Sequence, residues 1–224
     1  MSKPTMLSIA LLLVLGSSII LNILLFSRAK QYYRELNQTR LDPLGLNDHP
    51  IDAQPVTNTK QTRVVFFGDS RAASWIAPNL NQYEFINRGI GSQTSVQTLQ
   101  RFTYHVSSLK PKIIIIQVGV NDLKTIPLFP ERRNAIVANC QGSIKRIVEE
   151  SRKLGAVVIV TTIFPVGEVP LERKVFWSDD ISRAIKEVNA YIATLAEEKT
   201  IVFDTFPILG DSQGMILPKY RRDE

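Results

Sequence analysis

The run Lys112-Ile113-Ile114-Ile115-Ile116-Gln117-Val118 is the strongest constraint on what this chain can fold into. A strand sends successive side chains to opposite faces, so a strand that is apolar at nearly every position is covered on both. Val64-Val65-Phe66-Phe67 within the strand 63–67, and Ala156 to Phe164, read the same way. Tyr83 to Asn87 and Ile201-Val202-Phe203 are shorter relatives. Helical periods lie between them. Val96, Leu99, Phe102 and Val106 form one apolar face, and Ile181, Ile185, Val188, Ile192 and Leu195 form another behind a cap at Ser178, Asp179 or Asp180. A helix from about Glu131 to Lys153 carries Ile136, Val137, Cys140, Ile144, Ile147 and Val148 on one stripe, and Gly155 closes it. Cys140 on that stripe reads as a small core residue. This alternation predicts an α/β fold with a mostly parallel sheet and helices on both faces.

Two segments precede that domain. Leu7 to Phe26 is 20 residues without a charge. At 1.5 Å per residue a helix of that length matches the ~30 Å hydrocarbon core of a bilayer. Ser27-Arg28-Ala29 loosely resembles a signal-peptide cleavage site, but a signal's apolar region is typically about 7–15 residues. An uncleaved anchor over residues 1–26 is therefore expected. Lys3 on one flank and Arg28, Lys30 and Arg34 on the other would place the domain in the cytoplasm by charge count. A short amino-terminal tail is easily retained inside, which blunts that count. Residues 27–61, with Pro43, Pro50 and Pro55 and no apolar period, read as a tether, its first part prolonging the helix. The domain is expected over 62–224.

Composition excludes some function classes. The net charge of +6 is spread in pairs such as Arg132-Arg133 and Arg152-Lys153, so no nucleic-acid footprint is expected. A single cysteine excludes an internal disulfide and a multi-cysteine metal site.

In a parallel sheet, chemistry gathers at the strands' carboxyl ends. Ser70, the turn Arg88 to Ser92, Asn121, the loop Pro165 to Asp180 and Asp204 would all lie there. Ser70 read alone is a helix cap, and Asn121 read alone braces a turn. Read together they suggest a nucleophile with donors for an oxyanion, which still needs a base.

Gly68-Asp69-Ser70, Asn87-Arg88-Gly89-Ile90-Gly91 and Gly119-Val120-Asn121-Asp122 follow in order, each closing a strand. In these positions they resemble the SGNH hydrolases, the GDSL-like lipase, esterase and acylhydrolase family, over the chain from about Arg63 onward. The resemblance implies a flavodoxin-like three-layer α/β/α sandwich. It implies that Ser70 attacks an ester carbonyl, with its own N–H and the Asn121 amide on the oxyanion. A turn N–H is the third donor; the register set by Asn87 puts it at Ser92, just after Gly91, where a positive φ would strain a serine. The substrates implied are acylated carbohydrates, lipids or small esters, with no metal or organic cofactor. An extracytoplasmic, periplasmic-side domain follows from the tether and the resemblance. Phe164, Pro165, Phe176 and Trp177 are either an apolar substrate wall or cover for the core edge.

The family's base is a late histidine in an Asp-x-x-His motif. Here Asp223-Glu224 looks like its first two residues. His49 falls in the tether. His105 lies at the far end of a helix, roughly 20 Å beyond Ser92, as a surface or boundary residue. Neither is expected to serve. The expectation is a truncated esterase, whose absent final helix would leave apolar sheet surface exposed. The rival is a membrane-tethered carbohydrate- or protein-binding module that keeps the crevice without a base.

Overall fold

A computed structural model describes residues 3–49, 60–169, 171, 174, 177–212 and 214–220. Pro50, Pro55, Pro170, Phe176 and Asp223 lie outside the described residues. The chain divides into two compact units, Met1–Gly45 and Leu46–Glu224.

The first unit is helix α1, Lys3–Leu41, long and apolar enough to cross a membrane, with its apolar side chains exposed. It continues through Gln31 to Arg40, as the sequence suggests.

The second unit is built on a five-stranded sheet whose strands are all parallel. The strands are β1 (Thr62–Gly68), β2 (Tyr83–Gly89), β3 (Ile113–Gln117), β4 (Val157–Thr161) and β5 (Thr200–Phe203), in spatial order β2-β1-β3-β4-β5. This is the flavodoxin-like order, with the chain reversing direction across the sheet between β1 and β3. Register places Gly68 level with Gly89 on one side and Gln117 on the other, so three strands end together.

Among the described residues, seven α-helices connect or follow these strands: α2 (Ser70–Ala73), α3 (Ser95–Gln100), α4 (Phe102–His105), α5 (Val120–Leu123), α6 (Arg133–Lys153), α7 (Asp179–Ala193) and α8 (Phe206–Leu209). One sheet face presents Val65, Phe67, Ile86, Ile114, Ile116, Val158 and Val160. Against it pack Phe102 and Val106, the α6 stripe, and Ile181, Ile185, Val188 and Ile192 of α7. Cys140 lies buried in that core, and burial pushes its thiol well above the ordinary range.

The opposite face is thinner. Over β1 and β2 it is sealed by Phe66, which stacks on Phe85 and meets Trp75 edge-on at 4.8 Å. Farther across, Ile113, Ile115 and Ile159 are half-buried, while Ile201 is 51% and Phe203 45% exposed. Ile201 and Phe203 thus leave apolar surface exposed on β5.

The stretch after β2 departs from expectation. The predicted single helix face breaks at Arg101 into α3 and α4, and Val96 is exposed. Ser95, Thr98, Arg101 and His105 turn inward instead: Ser95 meets Asp122, Arg101 meets Gly68 O, Arg88 O and Gln93, Thr98 bonds back to Thr94 O, and His105 packs on His49. Polar side chains at helical spacing mimic a solvated face until their acceptors are known.

The two faces give opposite mutational outcomes. Ile147→Ala in α6 should cost about 2–5 kcal/mol in urea unfolding of the domain, as a cavity in a close-packed core. Ile201→Thr should stay within about 0.5 kcal/mol, because that side chain is already wet.

Candidate active site

The turn from β1 into α2 is forced by crowding. A Cβ at Gly68 would collide with the Gln117 carbonyl of β3, and one at Gly89 with the backbone of Ala73. Only glycine lets these segments pass so closely. Asp69 then caps α2: its N–H donates to Gln117 O at 3.1 Å and its Oδ1 accepts the Arg71 N–H at 2.9 Å. Ser70 stands at the first position of α2 with its side chain exposed. Asp69 itself is fully buried, and desolvation raises its carboxyl to about 6 despite the Arg71 N–H and guanidinium.

The turn after β2 lies against Ser70. Ile90 N–H donates to Gly68 O at 3.0 Å, and a Cβ built on Gly91 would stand 4.0 Å from the Ser70 Cβ. Ser92 has φ 63°, the left-handed conformation in which a serine is strained. Asn87 fixes the base of the turn: its Oδ1 accepts from Gly89 N at 2.8 Å and its Nδ2 donates to Ala72 O at 2.9 Å.

Asn121 is the second residue of α5, which follows Gly119, whose φ of 124° and contact with Ile163 disfavour any side chain. Its Nδ2 donates to Gln93 O at 3.0 Å, which draws the amide to the same turn. An amide nitrogen carries two hydrogens, so one remains for another acceptor. Asp122 faces the other way and accepts from Ser95 N at 2.8 Å and Ser95 Oγ at 2.6 Å, pinning α3 to α5. Ser70, Gly91, Ser92 and Asn121 are thus gathered at neighbouring strand ends.

The remaining candidates are placed differently. Asp204 follows β5 and accepts from Thr162 Oγ1 and Phe206 N. Pro165 is buried and Trp177 packs on the core, so they cover the core edge, while Phe164 carries the Arg71 guanidinium 4.9 Å above its ring. Ile216 lies against the loop after β4, its N–H on Val166 O at 2.9 Å, and Leu217 N–H returns to Leu209 O at 2.8 Å. Asp223 lies beyond it, outside the described residues.

His105 is not at the surface: it is 2% exposed. His49 packs edge-on against it, ring centroids 5.7 Å apart, because Leu46 to His49 belong to the same unit as the sheet. His49 Nε2 lies 3.1 Å from Gly89 O; a carbonyl only accepts, so that nitrogen donates. Burial, then the charges of Arg88 and Arg101, hold the His49 pKa below the usual histidine range. No group of three or more metal-ligating side chains occurs among the described residues.

Sequence reasoning missed Arg101 and Gln93. The fully buried Arg101 donates to Gly68 O, Arg88 O and Gln93 Oε1. Its spacing of three from Thr98 on a helix was the available signal.

Residues 56–223 match the model of the GDSL-like Lipase/Acylhydrolase family. A GDSL-like lipase from Bacteroides thetaiotaomicron superposes with a TM-score of 0.64 at 25% identity, over 80% of this chain and 86% of that one. An acetylxylan esterase from Geobacillus stearothermophilus shares the fold, with a TM-score of 0.51 at 18% identity, over 64% of this chain and 76% of that one. A Bacillus subtilis protein called an uncharacterized lipoprotein is 30% identical over 122 residues, 47% of this chain and 49% of that protein. The match thus spans about half the length of that curated relative.

Two substitutions probe the local strain and charge. Ser92→Gly should raise stability by up to about 1 kcal/mol in thermal unfolding, by relieving the left-handed backbone. Because Asp69 has a raised pKa in the folded state, its contribution is fully present below about pH 4 and is lost as pH rises through about 6. Asp69→Asn keeps the cap acceptor. It should abolish that decline in a pH series of melting temperatures and be the more stable form at pH 7.

Proposed function

Since this chain belongs to the GDSL-like lipase/acylhydrolase family, we propose that it is a serine esterase that cleaves O-acyl esters through an acyl-Ser70 intermediate. The observation that carries the reading is the gathering of Ser70, the Gly91–Ser92 turn and Asn121 at adjoining strand ends. Ser70 Oγ attacks the ester carbonyl while a base takes its proton. The oxyanion that forms is met by the Ser70 N–H, a backbone N–H of the turn at Gly91 or Ser92, and the free hydrogen of Asn121 Nδ2. Losing one such donor typically costs about two to three orders of magnitude in rate. The intermediate collapses by expelling the alcohol, and water then releases the acid from Ser70.

The base required is of imidazole type, the role that the histidine of the Asp-x-x-His motif fills in the family. Ester substrates of carbohydrate, lipid or small-molecule type all suit the exposed position of Ser70. An acetylated carbohydrate is the favoured class, by likeness of fold to the acetylxylan esterase. Neither a metal nor an organic cofactor takes part in these steps.

Helix α1 is proposed as a single-pass anchor for an extracytoplasmic domain. Its exposed apolar side chains support membrane contact, and the only cysteine, Cys140, is buried in α6, so the segment offers no thiol for a lipid. The binding-module reading draws on one observation: His49 packs edge-on against His105 and bonds Gly89 O, so its ring serves the β2 turn.

Exogenous imidazole separates the two readings. With imidazole supplied, p-nitrophenyl acetate hydrolysis by the chain should exceed that by Ser70→Ala by on the order of 10²-fold, the usual worth of a general base. Equal rates for the two proteins would sink the nucleophile and leave the binding module. Protease protection of the domain in spheroplasts would overturn the extracytoplasmic placement.

A further inference from the structure

Arg101 is buried completely, yet no carboxylate forms a salt bridge with it among the described residues. Asp48 acts on it only through space, and burying a cation without a contact ion pair costs several kcal/mol, so an apolar residue of similar volume would fill the space at less cost. What the guanidinium adds is therefore its fan of donors. Nη2 donates to Gly68 O at 2.8 Å, Nη1 to Arg88 O at 2.8 Å and Nε to Gln93 Oε1 at 2.5 Å, while the plane lies 4.5 Å over the Phe67 ring. One carbonyl is the last of β1, the other the last but one of β2, and the third acceptor sits beyond the strained Ser92. Gly68 is two residues from Ser70. Gln93, through its own carbonyl, holds Asn121.

We infer that Arg101 is a positioning residue: one planar cation fixes the ends of β1 and β2 and the turn between them, and so sets Ser70, the turn amides and Asn121 at their mutual distances. Its kinetic consequence rests on the esterase reading above; its mechanical consequence does not. Lysine cannot replace it, because an ammonium on a flexible stem lacks the rigid fork that spans three acceptors. Burial, followed by the charge of Arg88, lowers the Arg101 pKa to about 9, which leaves it charged at neutral pH.

The test compares Arg101→Lys and Arg101→Met in the full chain. Hydrogen exchange should accelerate about tenfold or more in a peptide covering 88–93, for each charge-assisted bond lost. A peptide covering β4 should stay protected. Imidazole-supported hydrolysis should lose kcat on the order of 10²-fold with KM unchanged, as for a small misplacement of reacting groups. Unchanged exchange at 88–93, or loosening there without loss of kcat in an active protein, overturns the inference. Equal loss of protection in β4 by both variants also overturns it, because Arg101 would then support the whole fold. If the parent chain shows no Ser70-dependent hydrolysis, the esterase reading fails and the exchange comparison alone decides the role of Arg101.

Discussion

The ends of parallel strands are awkward places, because their last carbonyls lose the ladder partners that serve the rest of the strand. Here β1 and β2 stop level with one another, and the Gly68 carbonyl is met from two sides, by Ile90 N–H and by Arg101. The rest of the candidate site hangs on that point. Gly68 must lack a side chain because β3 passes at backbone distance, and Gly89 must lack one because α2 does. The candidate nucleophile and its candidate donors are held less by each other than by the backbone packing beneath them.

That arrangement explains how much could be read in advance. Strands apolar on both faces leave little ambiguity, so the parallel sheet and the α6 and α7 stripes were legible from Ile113–Ile116 and from Ile136 to Val148. The glycines, Asn87 and Asn121 were legible because each stands where a strand must turn. Arg101, Gln93 and the Ser95–Asp122 pair were not, because a buried polar side chain is recognisable only once its acceptor is known. Arg101 takes two of its partners from backbone carbonyls, and any residue can supply those. His105 was misplaced for the same reason: its cover is His49, 56 positions earlier and within what reads as a tether.

The site also mixes rigid and costly features. Ser92 adopts a backbone conformation that glycine would adopt freely, and Asp69 is buried where its charge is disfavoured. Both flank Ser70 in space or in sequence. Natural proteins keep such strain where the surrounding structure over-determines it. Around Ser70 that role falls to the Asn87 bonds, the Gly68 carbonyl and the α3–α5 pinning by Asp122.

The half-open face of β3, β4 and β5 has a consequence for the protein's life in a cell. Ile201 and Phe203 lie on β5, a four-residue strand at the margin of the sheet. Such a margin is a template for unwanted partners as well as proper ones, and chaperones and proteases bind the same kind of surface. Recognition of β5 by quality control would then bear on steady-state abundance, independent of whether Ser70 ever meets an ester.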